Sequence, residues 1–275
     1  AAEVLGMRPE QFTVVYQDTD AGPWDAGASG SQTTFNNGRA VVQAAIDVRD
    51  QLLELAEDVL EAARADLELV AGRVQVKGSP TTGVDISELA EKAAGDKLLL
   101  GRGSGSPAPL PDCDASGCTG RLGMESFLAP TFMTHAVRCK VDRATGVVRV
   151  LEVAAAHDSG RVLNRMGADG QVEGGVAMGI GMALSEGSQI SDDGRNLNPY
   201  LLDYKLQTAA DVPAIRVDWV GAPDPNAGPN GAKAVAEPPC VPTPGAVGNA
   251  IAKVTGRRVH QLPMTPLRVW EAVRE

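Results

Sequence analysis

Chemistry is most legible around Glu237. In Gly231-Ala-Lys-Ala-Val-Ala-Glu-Pro-Pro239, a residue before proline is pushed toward extended backbone and the second proline stiffens the exit. Glu237 is therefore expected on a rigid, non-helical mount, among neighbours too small to shield it, as suits a general base in a narrow site. The same pattern also fits a solvated Glu at an ordinary turn. A second candidate is the loop Ala26-Gly-Ala-Ser-Gly-Ser-Gln-Thr-Thr-Phe-Asn-Asn37, placed between an expected strand and the start of a long helix. Small residues let backbone N–H groups approach a ligand, the hydroxyls of Ser29, Ser31, Thr33 and Thr34 add donors, and a helix N-terminus favours anions. A phosphate or oxyanion would suit it, and so would a plain helix-capping loop; the Lys of a Walker motif is absent. The third is Gln171-Val-Glu-Gly-Gly-Val-Ala-Met-Gly-Ile-Gly-Met-Ala-Leu-Ser185. Each interior helical Gly costs about 1 kcal/mol relative to Ala, so glycines 174, 175, 179 and 181 imply close approach by another backbone or by a cofactor. Gln171 is expected in the first turn, within reach of a ligand on the helix end.

Other residue types are less informative. Gly179-Ile-Gly181 lacks the third Gly of a dinucleotide fingerprint, and Gly27-Ala-Ser-Gly-Ser31 has Ser where a nucleophile elbow needs its second Gly. Cys113 and Cys118 are separated by four intervening residues in a loop without further ligands nearby, and Cys139 and Cys240 stand elsewhere, so free thiols are expected. His135, His157 and His260 show no paired spacing with carboxylates, and each reads as structural.

The elements that must position these residues follow from periodicity. A helix stop at Gly6 after Ala1–Leu5 reads as the last turn of a helix whose beginning is missing, as in a shortened or divided protein. A strand is expected over 11–17, a long amphipathic helix over 38–67, a hairpin over 68–77 turning at Gly72, and a short helix over 85–93. The Gly, Ser and Pro-rich stretch 101–120 is expected as a linker or exposed loop. Beyond it come a hairpin of 132–141 and 147–156, a helix over 169–185, strands over 201–206 and 215–220, a helix over 245–254 stopped by Gly256, a strand over 259–262 and a last helix after Pro266. Helices and hairpins mix without a strand-helix-strand rhythm and without internal repeats, so the fold class is α+β.

Composition sets the bounds. In 275 residues, 43% are hydrophobic and 22% charged, which is enough for a sizeable core in one or two domains. A net charge of −10 and 4% aromatics argue against nucleic acid or an anionic membrane as partner. Four cysteines are too few for a disulfide scaffold, which points to a reducing, cytoplasmic setting. There is no apolar run of bilayer length, and the first residues do not read as a signal peptide.

Taken in order, Asp18-Thr19, Ala28-Ser-Gly-Ser-Gln-Thr-Thr34, Gly38-Arg-Ala-Val41, Gly170-Gln-Val-Glu-Gly-Gly175, Gly179-Ile-Gly-Met-Ala-Leu184, Asp203-Tyr-Lys205 and Lys233-Ala-Val-Ala-Glu-Pro-Pro239 resemble the molybdenum-cofactor subunit of the xanthine dehydrogenase and aldehyde oxidase family. Asn249-Ala-Ile251 and Leu262-Pro-Met-Thr-Pro266 resemble its C-terminus. The resemblance implies two α+β cofactor-binding segments, 1–110 and 121–275, joined through 101–120. It implies an enzyme that oxidises an electrophilic carbon of an N-heteroaromatic, aldehyde or related small molecule with oxygen from water. Glu237 would deprotonate a hydroxyl or water on molybdenum, the oxygen would attack carbon, and hydride would pass to a sulfido ligand. Gly30 would approach the metal, Ser31, Gln32, Thr33 and Thr34 would hold the pterin and its phosphate, and Gln171 and Ala236 would complete the cofactor contacts. Ala236 stands where the family usually has Gly, which adds a methyl group there. The cofactor implied is molybdopterin, in mono- or dinucleotide form. Two 2Fe-2S clusters and FAD would sit on an iron–sulfur subunit and a flavin subunit. The chain corresponds to about the last third of the family's subunit, so another chain would supply the N-terminal part. A non-catalytic scaffold half of such a complex is the alternative.

Overall fold

A computed structural model describes residues 1–15, 18–20, 22–25, 27–28, 30–93, 98–105 and 129–274. Cys113, Cys118, Ala26 and Ser29 lie outside the described residues. The chain divides into two units, Ala1–Asp114 and Ala115–Glu275.

The first unit is organised by helix α2, Thr33–Leu60. Ala45, Leu52 and Ala56 recur along one face at helical spacing and are buried there with Leu5, Leu67, Val74, Val84 and Leu89. The helix starts one turn earlier than its apolar periodicity predicts, because Thr33 to Asn37 are drawn into it. It stops seven residues earlier, where Glu61 takes a left-handed conformation (φ 48°). Leu67, expected as its last residue, instead opens strand β1, Leu67–Val70, and is buried. β1 pairs antiparallel with β2, Arg73–Val76, through a two-residue turn in which Ala71 and Gly72 both have positive φ, as a right-twisted hairpin requires. β3, Ser79–Asp85, unforeseen because of its Pro and Gly, completes a three-stranded meander before helix α3, Ile86–Ala93. The short helix α1, Ala2–Leu5, is capped by left-handed Gly6. Residues 12–15 form no strand: they have no pairing partner among the described residues, and Val14 and Val15 are exposed.

Residues 101–105 lack regular structure, yet they are laid along α2. A Cβ at Gly101, Gly103 or Gly105 would come within 2.1, 2.0 and 2.0 Å of the carbonyl oxygens of Ala44, Ala40 and Asn36. Two extended residues advance about 6.6 Å and four helical residues about 6 Å, so glycines at every second position meet carbonyls at every fourth. Between them, the Arg102 and Ser104 N–H groups donate to Asp47 Oδ2 (3.0 Å) and Gln43 Oε1 (2.9 Å).

The second unit is a three-stranded sheet covered by helices. β4, Phe132–Val141, and β5, Val148–Asp158, form the expected antiparallel hairpin, and β6, Ala214–Trp219, adds to β5 in parallel. Gly146 at the hairpin turn (φ 74°) is required twice over, since a Cβ there would also lie 1.9 Å from Pro266 O. Helix α4, Arg165–Leu184, and helix α5, Thr243–Thr255, pack on each other and on the sheet, burying Val153, Ala155, Val172, Val176, Ile180, Val247 and Ile251. Helix α6, Pro266–Arg274, closes this core with Val269. Residues 201–206 form turns rather than a strand and 259–262 form none, because neither has a neighbouring strand to pair with among the described residues. Mixed helices and two small sheets make the class α+β, as the irregular order of elements predicts.

Candidate active site

Glu237 sits between two firmly held flanks. On the N-terminal side, Ala232 forms an antiparallel bridge with Gly160, and the Lys233 N–H donates to Ser159 O (2.9 Å). Gly160 (φ 60°) is needed for this approach, since a Cβ would meet Gly231 O at 2.1 Å. The Lys233 ammonium is buried, donates to Asp158 Oδ2 (2.8 Å) and lies 3.6 Å from Asp224 Oδ2. The Thr131 hydroxyl donates to Ala234 O (3.2 Å). On the C-terminal side, Pro238–Cys240 is a turn of 3-10 helix in which the Cys240 N–H donates to Glu237 O (3.1 Å). The sequence-based mount is thus corrected: Glu237 is helical in backbone (φ −79°, ψ −35°), not extended. The bond from Cys240 and the favourable proline at the first helical position outweigh the usual pre-proline bias. Glu237 is exposed rather than buried, and Ala236 before it is half-buried.

The glycines of α4 now separate by what they face. A Cβ at Gly175 would lie 2.7 Å from Pro239 Cβ, and one at Gly179 would lie 2.5 Å from Thr243 Cβ and 3.0 Å from Cys240 O. These two let the segment just after Glu237 seat directly on the helix. Gly181 makes room for the Glu186 carboxylate, while Gly170 and Gly174 face open space. Gln171 is the seventh residue of α4, two turns in and exposed, and not in its first turn. Asn164 caps the helix instead, its Oδ1 accepting from the Gly167 N–H at 3.0 Å.

Sequence reasoning treated the histidines separately, but the fold joins two of them to this segment. His135 Nε2 and His157 Nε2 are 2.8 Å apart, and His135 Nδ1 is 3.0 Å from Thr243 Oγ1. The Thr243 hydroxyl donates to Pro239 O (3.0 Å), and both Thr243 and His157 are fully buried. Burial pushes both imidazoles toward the neutral form, His135 to about 4 with His157 adding to the effect. His157 also packs edge-tilted against Trp219, whose indole N–H donates to Asp169 Oδ1 at 2.8 Å. The signal for the pairing lies in β5. A bulge between Arg138 and Cys139 of β4 leaves Leu151 of β5 unpaired, so Met133 stands opposite His157 and His135 opposite Ala155. Without it the register slips by one and the histidines face opposite sides. The change of buried parity from Val150 to Val153 marks that slip.

In the first unit, Gly30 and Ser31 both have left-handed backbone (φ 59° each) immediately before α2. For Ser31 this costs about 1 to 2 kcal/mol. Gln32 occupies the N-cap position, but its side chain makes no capping bond. Thr33 and Thr34 are the first two helical residues, not loop residues, because the chain turns helical directly after Ser31. No acidic side chain lies in this first turn, and Gln32, Thr33 and Thr34, which carry amide and hydroxyl donors, are exposed at the start of this 28-residue helix. Such a donor set fits an anionic pterin phosphate. Gly30, Ser31, Gln32, Thr33 and Thr34 belong to the first unit; Gln171, Ala236 and Glu237 belong to the second. Among the described residues no group of three His, Cys, Asp or Glu could hold a metal ion, and no helix is long and apolar enough to cross a membrane.

Comparison with known proteins gives the family. Residues 1–213 match the family described as the molybdopterin cofactor-binding domain. The xanthine dehydrogenase molybdenum-binding subunit of Escherichia coli O157:H7 is 31% identical over 98% of this chain and 34% of its own length. The carbon monoxide dehydrogenase large chain of Hydrogenophaga pseudoflava is 31% identical over 100% of this chain and 33% of its own. The crystal structure of quinoline 2-oxidoreductase from Pseudomonas putida 86 superposes with a TM-score of 0.85 at 28% identity, over 100% of this chain and 34% of that one. The chain therefore spans about a third of the length of the curated relatives it matches. With more than half of its length matched, and with a fold shared by these enzymes, the chain belongs to the molybdopterin cofactor-binding family of xanthine dehydrogenase and aldehyde oxidase type.

Proposed function

We propose that this chain forms the part of a molybdenum-dependent oxidoreductase that carries the catalytic base, corresponding to the C-terminal third of a molybdenum-binding subunit. When bound, the molybdenum–pterin cofactor supplies two-electron oxidation of carbon with oxygen from water. Glu237 accepts the proton released as that oxygen is activated. Its exposed carboxylate stands on a turn immobilised on both flanks, so it reaches its partner without paying ordering entropy at the moment of reaction. Gly30 gives the cofactor close backbone access. Ser31, Gln32, Thr33 and Thr34 hold the pterin and its phosphate at the N-terminus of α2 in the first unit, and Gln171 and Ala236 are the cofactor-binding residues of the second unit. The substrate class is an electrophilic carbon in an N-heteroaromatic, an aldehyde or a related small molecule. The rest of the subunit lies in sequence beyond these 275 residues, and electrons leave to 2Fe-2S and FAD partners.

The observation that carries this reading is the carboxylate of Glu237 on a turn locked by Lys233, Thr131 and the α4 glycines. Glu237→Gln in the assembled, molybdenum-loaded complex is expected to lower kcat by about 10²- to 10⁴-fold at unchanged molybdenum content. Retained turnover would instead favour a scaffold role for this chain.

A further inference from the structure

We propose that His157, His135 and Thr243 form a positioning network that fixes the turn bearing Glu237 by holding the Pro239 carbonyl, two residues beyond it. The inference rests on the reading of Glu237 as the base. Its geometry is independent of that reading, because the chain of bonds determines its own proton placement. A carbonyl can only accept, so the single Thr243 hydroxyl proton goes to Pro239 O. Thr243 Oγ1 must then accept from His135 Nδ1–H, which leaves the neutral His135 with Nε2 as acceptor. His157 must donate from Nε2–H, leaving its Nδ1 as a lone pair. That atom is indeed buried without a hydrogen-bond partner among the described residues, the position at which the chain must end.

Every member is held by a different element. His157 stands on β5, His135 on β4, Thr243 at the first residue of α5, and Pro239 in the 3-10 turn. The network thus ties the sheet to the turn, while Gly175 and Gly179 press the same turn onto α4. A fixed carbonyl at Pro239 fixes the peptide planes that lead back to Glu237. The role assigned to the histidines is positioning: neither is assigned contact with substrate or cofactor.

Three measurements test this. Two-bond proton–nitrogen correlation spectra of 15N-histidine-labelled protein at pH 7 should show His135 as the Nδ1–H tautomer and His157 as the Nε2–H tautomer, with exposed His260 as the solvent reference. The opposite tautomers, or a charged His135, overturn the proton assignment. In the assembled, molybdenum-loaded complex, Thr243→Val should lower kcat by about 10- to 100-fold with KM and molybdenum content unchanged, and Thr243→Ser, which keeps the hydroxyl, should restore it. Full kcat in Thr243→Val, beside loss of turnover in Glu237→Gln, would reduce the network to a purely structural role and overturn the proposal. Turnover surviving in Glu237→Gln itself would instead remove the base reading. The spectra need no substitution, so they decide the proton assignment even if Thr243→Val fails to fold.

Discussion

Two glycines one turn and a residue apart on α4 make opposite predictions for the same substitution. Gly174→Ala and Gly179→Ala both sit inside the helix, so each gains about 1 kcal/mol in helix propensity and each reduces the freedom of the unfolded chain equally. At position 174 the new methyl group meets nothing within 4 Å. At position 179 it arrives 2.5 Å from Thr243 Cβ and 3.0 Å from Cys240 O, where carbon atoms normally rest about 3.5 to 4 Å apart. The Pro239 to Thr243 segment must then retreat by about 1 Å, and such overpacking costs about 1 to 3 kcal/mol. Gly174→Ala should therefore stabilise the chain by about 1 kcal/mol, and the two variants should differ by about 1 to 3 kcal/mol. Urea unfolding followed by tryptophan fluorescence measures this, with Trp219 and Trp270 reporting on the second unit. If Gly179→Ala matches or exceeds Gly174→Ala in stability, close packing does not explain the glycine at 179. Since the displaced segment begins two residues after Glu237, Gly179→Ala should also lower kcat in the assembled complex while Gly174→Ala in the isolated chain leaves the turn intact.

Three further outcomes follow from the same contacts. His135 titrates near 4 in the folded chain against about 6.5 unfolded, so the unfolded state binds the extra proton between these values; stability is fully present above pH 6.5 and falls as pH drops through this window. A shift of this size has a ceiling of about 3 kcal/mol, reduced to about 1 to 2 by partial solvent screening, and His135→Gln should flatten that part of a urea-midpoint profile from pH 7 to 4. Lys233→Met leaves the half-buried Asp158 and Asp224 carboxylates facing each other without their cation, and should cost about 3 to 5 kcal/mol in urea unfolding. Restoring neutrality with Asp158→Asn in the same chain should recover part of that loss, whereas an additive double variant would deny that the groups interact.

Most elements were legible because their signals are local. The α2 face at Ala45, Leu52 and Ala56, the Gly72 and Gly146 turns, and the Gly256 stop depend on residues a few positions apart, and each formed close to where periodicity and turn chemistry placed it. Strands expected over 11–17, 201–206 and 259–262 did not form among the described residues, because alternation supplies only one side of a ladder and a partner strand must supply the other. Of the α4 glycines expected to have a close neighbour, Gly175, Gly179 and Gly181 have one and Gly174 does not, and spacing cannot distinguish a cofactor from the protein's own Pro239, Thr243 and Glu186.

The sequence by itself determined the α+β class, the small-residue stretch leading into α2, and through the order of its motifs the molybdopterin family; it singled out Glu237-Pro-Pro as a stiff segment but not its helical backbone. These rest on residue type and short-range spacing, which the chain carries whatever its tertiary arrangement. Only the folded chain decided which residues support Glu237. The Lys233, Asp158 and Asp224 ion cluster, the glycine strip on α2, and the His157–His135–Thr243 network join residues far apart in sequence. The last of these hangs on one extra residue, Leu151, in β5: a single bulge reverses which face of the sheet the following side chains occupy, and pairing between strands, not the order of residues along one of them, fixes where it falls.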